Sequence, residues 1–123
     1  MRIEIFVVKT ELDKKQEDEE ERIAKIDYEC DYNFGTPLIN ELKQLEIIKS
    51  EITHEFGGLT IIPNCKGYWE DSTQFYKDNG EIWLIYTASK DCLAIIEAYA
   101  KRIKNLTYQK AQAFGIDGKL YLV

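Results

Sequence analysis

The chain has 123 residues, 45% hydrophobic and 31% charged, with a formal net charge of -6. One domain fills that length, and at this size folding buries roughly two-thirds of the unfolded surface without help from disulfides or metal. The apolar fraction excludes a disordered chain, and no apolar run reaches the ~18–20 residues that cross a membrane. In the opening Met1-Arg2-Ile3-Glu4-Ile5, Glu4 and then Lys9 bracket a short apolar stretch, which is not a signal-peptide pattern. A soluble, cytoplasmic protein is expected, one domain over 1–123.

Ile3, Ile5 and Val7 alternate with Arg2, Glu4 and Phe6, which predicts a first strand over about 2–9. Residues 11–33 follow as an acidic insert or exposed segment, with ten acids against four bases. Its centre, Gln16 to Ile26, favours helix but has too few apolar residues to bury a face. Thr36-Pro37 reads as a helix start, with the threonine as N-cap. Leu38, Leu42, Leu45, Ile48, Ile52 and Phe56 then recur at steps of three and four, an amphipathic helix ended by Gly57-Gly58.

Leu59 to Ile62 is a β-branched run cut by Pro63, which assigns it to an edge position or a bulge. Residues 64–81 read as a loop, with Asp78-Asn79-Gly80 as its turn. Ile82 to Thr87 is apolar on both faces, the pattern of a central strand. Ser89 is the expected cap of a second helix bearing Leu93, Ile96, Ala100 and Ile103 on its face, with Cys92, Ile95 and Tyr99 alongside. Lys101, Arg102 and Lys104 sit in its last turns, where cations oppose the helix dipole. Ala111 to Val123 predicts a hairpin turning at Asp117-Gly118.

This order predicts an α+β fold, a ferredoxin-like βαββαβ sandwich. Its antiparallel sheet carries two helices on one face and an extra C-terminal strand. One sheet face is then uncovered, with Phe6 and Val8 pointing away from Ile3, Ile5 and Val7. Burying that face against another copy predicts a homo-oligomer. Within the acidic insert, Ile23, Ile26, Tyr28 and Tyr32 are the side chains available to cover it instead.

Outside residues 11–33, acids and bases balance at twelve each. A neutral body lacks the positive footprint of phosphate-backbone binding, so no nucleic acid partner is expected. Cys30, Cys65 and Cys92 are widely spaced and contain no Cys-x-x-Cys, and His54 is the one histidine. Neither a zinc site nor another cofactor is expected, and the thiols read as reduced. Catalysis is not expected either. His54 lies at the end of a helix with no nucleophile in sight, Cys65 beside Lys66 has no evident base, and no phosphate-cradling glycine loop or hydrolase elbow occurs.

The residues closest to chemistry lie in 64–81. Tyr68, Trp69, Phe75 and Tyr76 are more aromatics than a surface connection needs. Either the segment is a hairpin extension whose aromatics pack on one another and on a neighbouring subunit, or they form a platform for a flat ligand. In the second reading Lys66, Tyr68, Trp69, Glu70, Tyr76 and Lys77 are the candidate ligand-binding residues, the lysines meeting an anion and Glu70 accepting hydrogen bonds. The reading that follows is a non-enzymatic, oligomeric module that binds a small ligand or a protein partner through 64–81 and the subunit interface. Its alternatives are an interaction or inhibitor protein acting through 11–33, and a small metal-dependent nuclease using Asp71 or Asp78.

Gly58-Leu59-Thr60, followed by Gly67-Tyr68-Trp69, resembles the Gly-Leu-Thr…Gly-x-Trp core of a group of small uncharacterised bacterial proteins. Asn79-Gly80-Glu81 leading into the Ile82 strand resembles that group as well. The resemblance spans about residues 56–104 and implies a ferredoxin-like domain with no established activity; the acidic insert departs from it. The strand order also resembles that of PII-type signalling proteins. That likeness implies an oligomer with a long loop between its second and third strands and nucleotides held between subunits, although phosphate-clamping basic residues are sparse here.

Overall fold

A computed structural model describes residues 1–27 and 37–123. Five strands and three helices alternate along it: β1 (Arg2–Val8), α1 (Thr10–Asp27), α2 (Asn40–Phe56), β2 (Thr60–Glu70), β3 (Phe75–Tyr86), α3 (Leu93–Leu106), β4 (Ala113–Ile116) and β5 (Lys119–Leu122). The strands form one sheet in the order β2-β3-β1-β4-β5, with every neighbouring pair antiparallel. The fold is α+β and compatible with a ferredoxin-like sandwich plus a C-terminal strand.

Register fixes which side chains share a face. Ile3 pairs with Ile85 and Ile116, and Ile5 with Trp83 and Phe114. These residues point to the helices and meet Leu45, Ile48 and Ile52 of α2 and Ile96, Ala100 and Ile103 of α3 in one buried core. At about 25 cal/mol per Å² of apolar surface, this layer supplies the main drive for folding.

Helix α2 ends as its glycines predict, with Gly57 at φ 82° donating its N–H to the Thr53 carbonyl at 2.8 Å. Its beginning differs from the expectation. Thr36 lies outside the described residues, and the helix starts at Asn40 with Ile39 in the cap position. The cap comes from another element. Gln16 Oε1 of α1 accepts the Ile39 N–H at 3.0 Å, while Gln16 Nε2 donates to the Pro37 carbonyl at 3.3 Å. Ile39 is buried in place of Leu38. Ser89 does not cap α3 either: that helix begins at Leu93, and Cys92 is the buried residue at its entry. Leu93, the first residue of the helix, is exposed.

Helix α1 is a third helix that the amphipathic pattern does not announce. Leu12 is its one fully buried side chain among those described. Lys15 adds an ion pair to Glu41, whose Oε2 also accepts the Tyr108 hydroxyl at 2.8 Å. Lys15 is the main cause holding the Glu41 carboxyl below its usual range. One carboxylate thus ties α1, α2 and the end of α3 together. Beyond Gln16 the helix is largely solvated, in keeping with its acids. Of the residues that could cover the open face, Ile23 is half-buried, Tyr28 and Tyr32 fall outside the described residues, and so does the side chain of Ile26.

Residues 64–81 are the hairpin extension that one of the two readings expected, but they are paired strand rather than loop and form the outer half of a long hairpin. β2 continues to Glu70, residues 71–74 form the tip, and β3 returns from Phe75. Pro63 does mark an irregularity: the register shifts between Ile62 and Cys65, and Asn64 takes a left-handed φ of 56°. Asp78-Asn79-Gly80 lies inside β3 and makes no turn. The predicted turn at Asp117-Gly118 is present, with φ of 48° and 83°. No helix among the described residues is long and apolar enough to cross a membrane.

Candidate functional site

Strand β1 pairs with β3 only from Gly80 onward, so residues 65–79 form a two-stranded arm beyond the main sheet. Along a straight sheet, the Trp69–Tyr76 row would lie about 20 Å from the row of Phe6 and Ile82. Yet the Phe6 and Trp69 rings are 5.9 Å apart. The arm therefore coils over the sheet face opposite the helices, starting from the bulge at Pro63-Asn64. Gly67 permits the closure, since a Cβ there would lie 2.8 Å from Trp69 Nε1 and 2.9 Å from the Phe6 ring.

Between the coiled arm and the sheet lies a cavity of about 550 Å³. Phe6 and Val8 line it from β1, Trp69 and Tyr76 from the arm, and Leu122 from β5. Residues 108–113 close the remaining side. Glu11, Asp71 and Asp78 set three acids along it against one cation, Lys110.

Thr10, the first residue of α1, anchors the junction of sheet and arm. Its hydroxyl donates to Asp78 Oδ1 at 3.2 Å and accepts the Asn79 N–H at 2.9 Å. Asp71 orders the tip. Its Oδ1 accepts the Thr73 N–H, the Thr73 hydroxyl and the Gln74 N–H, each at 2.8 Å. The Thr73 bonds, followed by Gln74, lower its pKa to about 2 from 3.8. The same carboxylate pushes the Tyr76 phenol upward.

Because the folded-state pKa is the lower one, the ordering that Asp71 provides is complete above about pH 4 and fades as pH falls through about 2. The Thr73 and Gln74 amide resonances are expected to hold steady from pH 7 to 4 and then titrate together. In Asp71→Ala both amides should exchange faster at every pH. A midpoint near 4 would contradict these bonds.

Gln112, in the segment between α3 and β4, is 1% exposed. Its Nε2 donates to the Phe6 carbonyl at 2.6 Å and to the Ala113 carbonyl at 3.0 Å. Both acceptors are carbonyl oxygens, which fixes the amide orientation. Oε1 is left buried without a partner.

The pleat divides the six residues singled out in the sequence. Trp69 and Tyr76 line the cavity, whereas Glu70 borders it but alternates with Trp69 onto the opposite face of the arm, across from Phe75. Tyr68 and Lys77 pair on the other face of the arm, with the Lys77 ammonium 5.9 Å from the Tyr68 ring and Phe75 at 6.2 Å beyond it. Lys66 lines a separate recess with Lys9 and Asp13. Asp71 and Asp78, named in the sequence only for the nuclease alternative, also line it, and Phe6, Tyr108 and Gln112 are additions. The parity of Phe6 within β1 is the one sequence signal for any of them.

Among the described residues no three His, Cys, Asp or Glu side chains are grouped to share a metal ion. Asp71 and Asp78, the acids of the nuclease alternative, are both engaged in hydrogen bonds. Burial raises the Cys92 thiol above its ordinary pKa, and Cys30 lies outside the described residues.

No protein-family model matches the chain, and no curated protein matches it in sequence. A solved structure of a phage SAM lyase in its apo state is similar at 12% identity and a TM-score of 0.46, over 99% of this chain and 85% of that one. A likeness at that level carries no inference about activity.

Proposed function

We propose that this protein is a non-enzymatic small-ligand-binding module that works as a homo-oligomer. The cavity under the coiled arm is the observation that carries the reading. It lies within the ≈ 300–1,000 Å³ range of small-molecule sites and joins aromatic walls to a few convergent polar groups. The oligomer follows from the same sheet face. Ile62, Tyr86, Leu120 and Leu122 are exposed large apolar residues on it, and Leu122 also borders the cavity. A second copy laid on this face buries those side chains and closes the open flank of the site.

Native mass spectrometry tests both parts. The expected result is an oligomer retaining a small molecule. Leu120→Glu with Leu122→Glu should give monomers, and Trp69→Ala should lose the added mass while leaving the subunit count unchanged. A bare monomeric wild type would overturn the reading.

The second reading, an interaction protein acting through its acidic segment, is favoured by the exposure of α1 beyond Gln16. It expects the same spectra to show a bound basic protein, lost when Glu17, Asp18, Glu20 and Glu21 are neutralised.

A further inference from the structure

We infer that the cavity takes a small organic cation with a flat part and N–H donors, such as a protonated aromatic amine or an amidine. The inference rests on the ligand-binding reading above and adds the chemical class. Three independent features of the site agree on it.

The first is charge. Glu11, Asp71 and Asp78 line the cavity against Lys110 alone, so the potential there is negative. Asp71 stays ionised far below neutral pH because three hydrogen bonds hold its charged form. An anionic ligand such as a phosphate is disfavoured here.

The second is the wall. Phe6 and Trp69 stand 5.9 Å apart with their planes inclined at 46°, and Tyr76 pairs with Trp69 across the arm. Rings at this separation touch each other, so a flat group stacks against the wall they form together, where their π faces attract a positive charge.

The third is Gln112. A buried acceptor without a donor costs about 1–3 kcal/mol, and native proteins seldom leave one so. Gln112 lines the cavity with Oε1 unpaired and with Nε2 already committed to two backbone carbonyls. The hydrogen-bonding capacity left at Gln112 is therefore for a donor, which an ammonium or amidinium carries and a carboxylate or phosphate does not.

The test uses three probes of one shape on the full-length protein: benzamidine as cation, benzamide as neutral and benzoate as anion. Binding is followed by ligand-observed NMR and by the fluorescence of Trp69. The expected order is benzamidine, then benzamide, then benzoate, with at least about tenfold between the first and the last. Asp78→Asn should narrow that gap severalfold, and Trp69→Ala should weaken all three probes together. Trp69 is 42% exposed, so its removal leaves the core intact.

Benzoate or benzamide binding as well as benzamidine would overturn the cation class and leave the ligand-binding reading standing. Failure of all three probes, together with native spectra that show no retained small molecule, would overturn both.

Discussion

Trp83→Ala is expected to cost about 4 kcal/mol of stability, lowering the melting temperature by about 15 °C. Trp83 is fully buried at the centre of β3 and pairs with Ile5 and Ile61. Truncation removes the indole from under α2 and opens a cavity that the flanking isoleucines fill only in part. A polar loss adds to the apolar one. The indole N–H donates to Glu81 Oε1 at 3.0 Å, and Lys49 Nζ lies 3.7 Å from the same oxygen and 5.7 Å from the ring centre. Alanine strips a nearly buried carboxylate of its uncharged donor. Trp83→Phe separates the two contributions: it keeps most of the apolar volume, removes only the N–H, and should cost about 1–2 kcal/mol. Urea unfolding followed by circular dichroism measures both. A loss in the alanine variant below that of the phenylalanine variant would show that the core collapses around the gap.

The sequence shows the core layer well because that layer is periodic. Alternation in β1 and the steps of three and four in α2 select Ile3, Ile5, Leu45, Ile48 and Ile52, all of which are buried. The C-terminal hairpin is equally clear, since Asp117-Gly118 supplies both positive φ values at its turn. Helix α1 is harder to read. Its stability comes from Leu12, the Lys15–Glu41 pair and the Gln16 cap on another helix, and none of these makes a stripe. The start of α3 is misplaced because Ser89 has the chemistry of a cap, whereas burial of Cys92 and Ile96 sets where the helix begins.

The candidate site is legible only in part, and for a related reason. A cluster of aromatics marks Trp69 and Tyr76, and the parity of β1 turns Phe6 to the same side. The pleat then sends Tyr68 and Lys77 to the opposite face, a division visible once 64–81 is known to be paired strand. Gln112 and Tyr108 carry no local signal. The chain brings them to the cavity through the connection from α3 to β4, which only the tertiary fold determines.

Gly80 shows most sharply how a local signal yields to pairing, and Gly80→Ala is expected to cost about 3 kcal/mol. Asp-Asn-Gly is turn chemistry, yet Gly80 lies in β3 between Val8 and Cys65, and its φ is not positive. Its need is for space. A Cβ there would meet the Val7 carbonyl oxygen at 2.2 Å and the Val8 Cα at 3.2 Å. Those atoms belong to the backbone of β1, which is held by β3 on one side and β4 on the other, so no side chain can rotate away. The added methyl has to push β1 and β3 apart where the main sheet gives way to the arm. The Lys9 N–H to Asn79 carbonyl bond of 2.7 Å and the Thr10 contacts to Asp78 and Asn79 lie next to that point. The damage should therefore reach the cavity: in Gly80→Ala protein that still folds at low temperature, benzamidine affinity should fall along with the melting temperature. Gly118→Ala serves as the comparison. It strains a left-handed turn with nothing within 4 Å, and should cost about 1 kcal/mol without touching the cavity. Equal losses in the two variants would mean that the close approach of Val7 does not set the requirement for glycine at position 80.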